Sequence, residues 1–298
     1  MRHLLGIEGL ARTDIEAILD RAERHLPGAS TAQPAGSLRG KLVANMFFED
    51  STRTRSSFEA AAKGLGAEVL NWTAKGSSIS KGETLLDTVR NIEAMGPAAL
   101  VMRHASSGAA HLVSQHVRCA VINAGDGTHE HPSQALLDAF TLRKRWGSLE
   151  GRTVLIVGDV LHSRVARSNA LCLRALGAQV LFCGPPTLLP AFPEVLGASC
   201  SWKLDELLPQ ADAVMCLRLQ LERQGESLIP SAREYARLFG LNPARAERLK
   251  EGALVMHPGP MNRGVEISPA VADGPRSVIL DQVRHGVAVR RAILEVCT

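Results

Sequence analysis

Aromatic side chains are scarce: they make up 4% of the 298 residues, with a single tyrosine. Platforms that hold single-stranded nucleic acid stack bases on aromatic rings, so this scarcity argues against that mode of binding. A dominant sign of charge is also lacking. The formal net charge of +4 is too small for a nucleic-acid coat. No stretch approaches the roughly 18–20 apolar residues of a membrane span. The first residues, Met1-Arg2-His3-Leu4-Leu5-Gly6, lack the long apolar stretch of a secretory signal. The cysteines (Cys119, Cys172, Cys183, Cys200, Cys216, Cys297) contain no C-x-x-C pair, and several sit in apolar runs such as Ala213-Val214-Met215-Cys216-Leu217. Such usage predicts buried, reduced core thiols in a cytoplasmic protein.

Hydrophobic residues make up 45% of the chain, enough to bury a sizeable core, and the length suits two domains or one large one. Thr13-Asp14-Ile15-Glu16 reads as a capping box, followed by Ile15, Ile18, Leu19 and Ala22 at helical spacing. Lys41 to Phe48 is an apolar run of strand length. It ends at Glu49-Asp50-Ser51, where a helix with Phe58, Ala61, Ala62 and Leu65 on one face begins. Ala98–Met102 and Ala120–Asn123 read as buried strands, and Pro132 opens a helix carrying Leu136, Leu137 and Phe140. Charge and glycine cluster around Arg143–Arg152, and the alternation then restarts. Thr153–Val157 reads as a strand, Val165–Leu176 as a helix, and Gln179–Cys183, Ala213–Leu217 and Leu254–Met256 as strands. Short apolar strands alternating with helices predict parallel sheets in two α/β domains. The final stretch, Gln282–Val296, has helical spacing at Val289, Ile293 and Val296.

In open parallel sheets, ligands gather at the carboxyl ends of the strands. Polar residues follow several strands here. After the Lys41 strand comes Ser51-Thr52-Arg53-Thr54-Arg55. A helix N-terminus presents N–H groups and partial positive charge, and hydroxyls with arginine add donors, so this turn predicts an anion site. Arg103-His104 follows the Ala98 strand. Asp126-Gly127 and His129-Glu130-His131-Pro132-Ser133-Gln134 follow the Ala120 strand. The histidines invite a zinc reading, yet no H-E-x-x-H or cysteine set accompanies them, so no metal is expected. His131 and Gln134 are placed to meet a ligand at the start of the Pro132 helix. Gly158-Asp159-Val160-Leu161-His162-Ser163-Arg164 lacks the G-x-G-x-x-G glycines of a dinucleotide site. Arg164 opens a helix there and is suited to a carboxylate. Arg218 and Gln220 fall on one side if their strand continues. His257-Pro258-Gly259-Pro260 offers carbonyls that can receive an amide's N–H groups. Between these strands lies a loop rich in glycine and serine, Lys75 to Thr84, a candidate cover carrying Lys81.

Taken together, Ser51-Thr52-Arg53-Thr54-Arg55, Lys81-Gly82-Glu83-Thr84, Arg103-His104, His131-Pro132-Ser133-Gln134, Arg218-Leu219-Gln220 and His257-Pro258-Gly259-Pro260 resemble, in order, the motifs of the aspartate/ornithine carbamoyltransferase family. The likeness runs from about Phe47 to about Gly264. Ornithine enzymes typically carry H-C-L-P where this chain has His257-Pro258-Gly259-Pro260. Arg218, Gln220 and Lys81 suit a second carboxylate, so the resemblance favours the aspartate branch.

The resemblance implies two doubly wound α/β domains. Residues 1–142 with the C-terminal helix 283–298 would bind carbamoyl phosphate, and 143–282 would bind L-aspartate. It implies carbamoyl transfer to the aspartate α-amine, the committed early step of pyrimidine (UMP) synthesis, with no cofactor. Ser51, Thr52, Arg53 and Thr54 would hold the phosphate. Thr54, Arg103 and His131 would donate to the carbonyl oxygen, and Gln134 with the Gly259 and Pro260 carbonyls would orient the amino group. Arg164 would hold the α-carboxylate and Arg218, with Gln220, the side-chain carboxylate, while Lys81 reaches the site from a neighbouring subunit of a homotrimer. A regulatory chain or a dihydroorotase partner stays open, as do two rivals: a carbamoyltransferase for another amino acid such as ornithine, and a catalytically silent scaffold.

Overall fold

Alternating strands and helices wind into two separate sheets. The computed structural model describes residues 1–28, 36–74, 82–219 and 228–298. Its contacts divide the chain into unit 1, Met1–Phe140 with Arg284–Thr298, and unit 2, Thr141–Val283.

Unit 1 opens with α1 (Arg12–Glu23), which buries Ile15, Ile18, Leu19 and Ala22. The expected capping box is not formed. The helix starts ahead of Thr13, with Ala11 at the N-cap and no side-chain cap. Asp14 still lies in the first turn, where its charge complements the positive helix end. There follow β1 (Leu42–Phe47), α2 (Thr52–Gly64), β2 (Glu68–Thr73), α3 (Leu85–Glu93), β3 (Ala99–His104), α4 (Ala109–Ser114), β4 (Ala120–Asp126) and α5 (Pro132–Trp146). The sheet order is β2-β1-β3-β4, with every pair parallel. β1 and β4 are buried almost throughout, which is why they read as apolar runs. β2 escaped the sequence reading because it is an edge strand with no fully buried residue.

Unit 2 contains β5 (Thr153–Val157), α6 (Arg164–Ala175), β6 (Gln179–Cys183), β7 (Ala198–Ser201), the one-turn helix α7 (Leu204–Leu207) and β8 (Ala213–Cys216). It continues with α8 (Ala232–Phe239), the one-turn helix α9 (Pro243–Ala246), β9 (Leu254–Met256) and the one-turn helix α10 (Pro269–Ala272). The order is β7-β6-β5-β8-β9, again all parallel. Leu155, Val157, Val214, Cys216 and Val255 pack on one side of this sheet with Tyr235, Phe239 and Ile267.

The last helix, α11 (Ile279–Cys297), returns from Arg284 onward to unit 1. Val289 and Ile293 are fully buried. Arg290 is buried as well, with its guanidinium 5.1 Å from the Phe58 ring centroid and 2.9 Å from Ser57 Oγ, both on α2. Burial pushes this guanidinium down to about 10, opposed by the Asp138 carboxylate. The C-terminal helix is thereby fastened to the helix that carries the Ser51 turn.

The cysteines are all free. Cys172, Cys183, Cys216 and Cys297 are buried as expected, but Cys119 and Cys200 are partly exposed. Cys119 precedes β4 and Cys200 lies on edge strand β7, so neither has a full shell of neighbours. Burial, reinforced by Glu93, pushes the Cys119 thiol up to about 11, and burial does the same to Cys200. With so little thiolate, native protein at pH 8 should react slowly with Ellman's reagent, and only at Cys119 and Cys200. All six thiols should react after denaturation. Fast modification of Cys183 or Cys216 in the native protein would contradict the packing.

Candidate active site

Each sheet reverses its strand order once, and each reversal opens a crevice at the strand carboxyl ends. In unit 1 the chain moves outward from β1 to β2 and then returns to β3 on the opposite side of β1. In unit 2 it moves from β5 out through β6 to β7 and returns to β8 beside β5. The described candidate residues lie at or just after the carboxyl ends of β1, β3 and β4 in unit 1 and β5, β8 and β9 in unit 2.

Ser51 is the N-cap of α2, in extended conformation, and its hydroxyl makes no capping bond. The first-turn N–H groups of a helix have no partner within it, and their dipoles point outward. Thr52 and Arg53 are exposed beside them, while Thr54 is buried. The turn therefore gathers main-chain donors, hydroxyls and a guanidinium. Arg103 stands on the next strand over, in register with Phe47, and its carbonyl accepts the Phe48 N–H at 2.9 Å. Its Nε donates to Glu49 Oε2 at 3.2 Å, with both side chains largely buried. Glu49 fixes the plane of this guanidinium. The sequence reading passed over Glu49, although it adjoins the anion turn.

His131 is buried and directly precedes α5, and its carbonyl accepts N–H groups from Gln134 and Ala135. Gln134 is buried too, and its Nε2 donates to Asp138 Oδ1 at 2.9 Å. A carboxylate accepts and never donates, so this contact settles the orientation of the amide. Nitrogen faces Asp138, and Oε1 is the end left to receive an N–H. Asp138, one helical turn on, was also missed. Asp126 Oδ2 accepts the Gly108 N–H, Oδ1 accepts the Asn123 amide and the Glu130 N–H, and both oxygens face His129 Nδ1.

In unit 2, Gly158 ends β5 at φ 141. A Cβ there would lie 2.8 Å from Leu217 Cβ, so glycine is what lets the β5 and β8 ends approach. Asp159 is buried and accepts from the His162 main-chain N–H and faces His162 Nδ1 at 2.9 Å. Ser163 then caps α6 by accepting the Ala166 N–H at 3.1 Å. Arg164 is the first residue of that helix and is 5% exposed. A cation at the positive end of a helix opposes the dipole, so helix stability does not account for this placement. Arg218 is half-buried after β8. Asn262 donates to the Leu219 carbonyl at 3.1 Å, tying the segment after β9 to the segment after β8. His257 is buried, with Nδ1 accepting the Gly259 N–H at 2.8 Å and Nε2 3.2 Å from Glu266 Oε1. These contacts hold the turn that presents the Gly259 and Pro260 carbonyls.

Lys81 and Gln220 lie outside the described residues. Of the candidate cover, Thr84 is resolved as the N-cap of α3, accepting the Asp87 N–H at 3.2 Å. Among the described residues, Glu8, His129 and Glu130 bring possible metal-ligand atoms within 4.8 Å of one another. Both Glu130 oxygens already accept main-chain N–H groups, from Ile7 and Glu8. Among the described residues no helix is long and apolar enough to cross a membrane.

Two family models match the chain. The aspartate/ornithine carbamoyltransferase carbamoyl-P binding domain covers residues 2–144 and the Asp/Orn binding domain covers 150–297. The aspartate carbamoyltransferase catalytic subunit of Myxococcus xanthus is 75% identical over 298 residues, the full length of both chains. That of Sorangium cellulosum is 60% identical over 98% of this chain and 92% of its own. Among solved structures, aspartate transcarbamoylase from Trypanosoma cruzi in complex with N-(phosphonacetyl)-L-aspartic acid superposes with a TM-score of 0.89 at 32% identity, over 99% of this chain and 95% of that one. Ornithine carbamoyltransferase from Pyrococcus furiosus gives 0.88 at 27%, over 98% and 96%.

His104, at the end of β3, provides a pH test of this edge. Burial holds its imidazole below the ordinary histidine value, and its Nδ1 accepts the Ser106 N–H at 2.9 Å. The unfolded chain therefore takes up this proton at higher pH than the folded one. Stability is lost as pH falls through about 6.5 toward the folded value. His104→Asn keeps an acceptor for Ser106 and should flatten the decline of Tm between pH 7 and 5. An unchanged slope would dismiss this contribution.

Proposed function

We propose a reaction for this chain from one premise: it belongs to the aspartate/ornithine carbamoyltransferase family. It transfers the carbamoyl group from carbamoyl phosphate to the α-amine of L-aspartate, releasing N-carbamoyl-L-aspartate and phosphate. This is the early committed step of pyrimidine synthesis. Fold alone does not separate aspartate from ornithine as acceptor, since solved structures of both kinds superpose equally well. The observation that carries the choice is charge. Arg164 and Arg218 follow the two strands that flank the unit 2 crevice. Two guanidiniums suit a dicarboxylate and would repel an ornithine ammonium. Full-length identity of 75% to an aspartate carbamoyltransferase catalytic subunit supports the same choice.

The roles are those that the family resemblance implies. Main-chain N–H groups of the Ser51–Thr54 turn, with Arg53, hold the phosphate. Thr54, Arg103 and His131 donate to the carbamoyl oxygen and stabilise the negative charge that develops as the amine attacks. Gln134 Oε1, with the Gly259 and Pro260 carbonyls, accepts from the carbamoyl amino group and fixes its plane. Arg164 holds the α-carboxylate and Arg218 the side-chain carboxylate, with Gln220 in support. Lys81 reaches both substrates from the neighbouring subunit of a cytoplasmic homotrimer. The deprotonated α-amine forms the new C–N bond, the C–O bond to phosphate breaks, and phosphate departs with the amine's proton. The rate comes from positioning and oxyanion stabilisation, with no covalent enzyme intermediate.

Arg53→Ala should lower kcat/KM by about 10²–10³-fold, the usual cost of removing one charged contact to a transition state. Near-wild-type kcat/KM would sink this reading of the turn. Arg218→Ala should raise the aspartate KM by about 10²-fold, equivalent to one charge-assisted contact, while the Kd for carbamoyl phosphate by calorimetry stays put. An unchanged aspartate KM, or carbamoylation of ornithine in preference to aspartate by the wild type, would overturn the acceptor assignment.

A further inference from the structure

We propose that Glu130 is a positioning residue for His131, acting by locking the N-terminal segment Leu4–Glu8 against the loop between β4 and α5; this rests on the reading of His131 as a donor to the carbamoyl oxygen. The Glu130 side chain is fully buried. Its Oε2 accepts the Ile7 N–H at 2.8 Å and its Oε1 the Glu8 N–H at 3.0 Å. The segment that supplies those donors is itself fixed to β4. The Leu4 N–H donates to the Val121 carbonyl at 2.9 Å, the Leu4 carbonyl accepts the Asn123 N–H at 2.8 Å, and the Leu5 carbonyl accepts Asn123 Nδ2 at 2.8 Å.

The main chain of Glu130 is held as firmly. Its carbonyl accepts the Asp126 N–H at 3.1 Å and its N–H donates to Asp126 Oδ1 at 3.2 Å. On the far side of His131, the first turn of α5 takes over, through the Gln134 and Ala135 N–H groups. His131 thus sits between two clamps, and Glu130 is the one that reaches outside the loop. Gly6 completes the arrangement. A Cβ at that position would lie 2.4 Å from Glu130 Oε1, so any side chain there displaces the carboxylate from its two donors. A shift of about 1 Å in a group aimed at a transition state costs on the order of 10²-fold in rate, which makes this support visible in turnover.

The test uses full-length Glu130→Gln, Gly6→Ala, His131→Ala and the double variant Glu130→Gln/His131→Ala. Active sites are counted by titration with a phosphonate–aspartate bisubstrate analogue, so that misfolded protein does not enter kcat. Glu130→Gln faces a donor toward one of the two N–H groups, and Gly6→Ala pushes the intact carboxylate away. Each should lower kcat per titrated site by about 10-fold or more, while the carbamoyl phosphate KM changes less than about 3-fold, because the His131 contact strengthens in the transition state. In the His131→Ala background, adding Glu130→Gln should change kcat less than about 2-fold, since residues acting as a unit are not additive. If one single variant gives no soluble protein, the other decides. Wild-type kcat per site in Glu130→Gln and Gly6→Ala, with His131→Ala impaired, overturns the proposal. So does a multiplicative double variant, or loss of soluble protein in both, which would assign the contact to the fold alone. Wild-type kcat in His131→Ala removes the proposal by a separate route, through the role of His131 itself.

Discussion

Parallel pairing is the constraint from which the site follows. In both sheets every strand points the same way, so every carboxyl end lies on one edge. A parallel sheet needs a crossover after each strand, and the crossovers leave that edge as short polar turns into helix N-termini. Where the strand order reverses, two neighbouring crossovers depart in opposite directions and the edge opens. β1 and β3 flank that opening in unit 1, and β5 and β8 flank it in unit 2. The Ser51 turn follows β1 and Arg103 lies at the carboxyl end of β3; Arg164 and Arg218 follow β5 and β8. Sites of this kind need no dedicated cavity, because topology already aims donors outward at the place where the backbone is most accessible.

What topology does not supply is rotational precision, and here carboxylates take over, buried ones except for the partly buried Glu49. Glu49 orients Arg103, Asp138 orients Gln134, Asp126 gathers the loop ahead of His131, and Glu266 faces His257 beneath the Gly259 turn. Each uses acceptor-only chemistry to decide which face of a neighbour is left outward. Burial makes these contacts costly to break, since a carboxylate deprived of its donors must be protonated or rehydrated. None of the four sits among the candidate substrate-binding residues, yet without them an arginine or glutamine of the right type would have several orientations to choose from.

Much of the frame was legible because its signals are local. A largely buried strand is a short apolar run, and Thr153–Val157, Gln179–Cys183 and Leu254–Met256 were delimited to the residue. Edge strands β2 and β7, only partly buried, gave no such run. The capping box at Thr13 did not form because the helix starts two residues earlier, with Ala11 at the N-cap and Thr13 already inside the first turn. Glu49 and the buried Glu130 were invisible for a different reason. Glu49 meets Arg103 across 54 positions and Glu130 meets Ile7 across 123, and nothing periodic links such partners. Asp138 was the exception that a helical reading could have found, since it lies one turn beyond Gln134 on α5.

Equal superposition on an aspartate and an ornithine enzyme says where specificity has to reside. The donor half of the proposed reaction is common to both, so the residues proposed for it, the Ser51 turn, Arg103, His131 and Gln134, have no reason to differ with the acceptor. The acceptor half differs in the sign of one side-chain charge. A sheet that presents its crossover residues at a reversal of strand order can change that sign with a substitution or two after β8, leaving every strand and its register intact. On the proposed roles, the Ser51 turn serves the chemistry and Arg218 the choice of substrate, and their placement after strands of different sheets lets one vary while the other is kept.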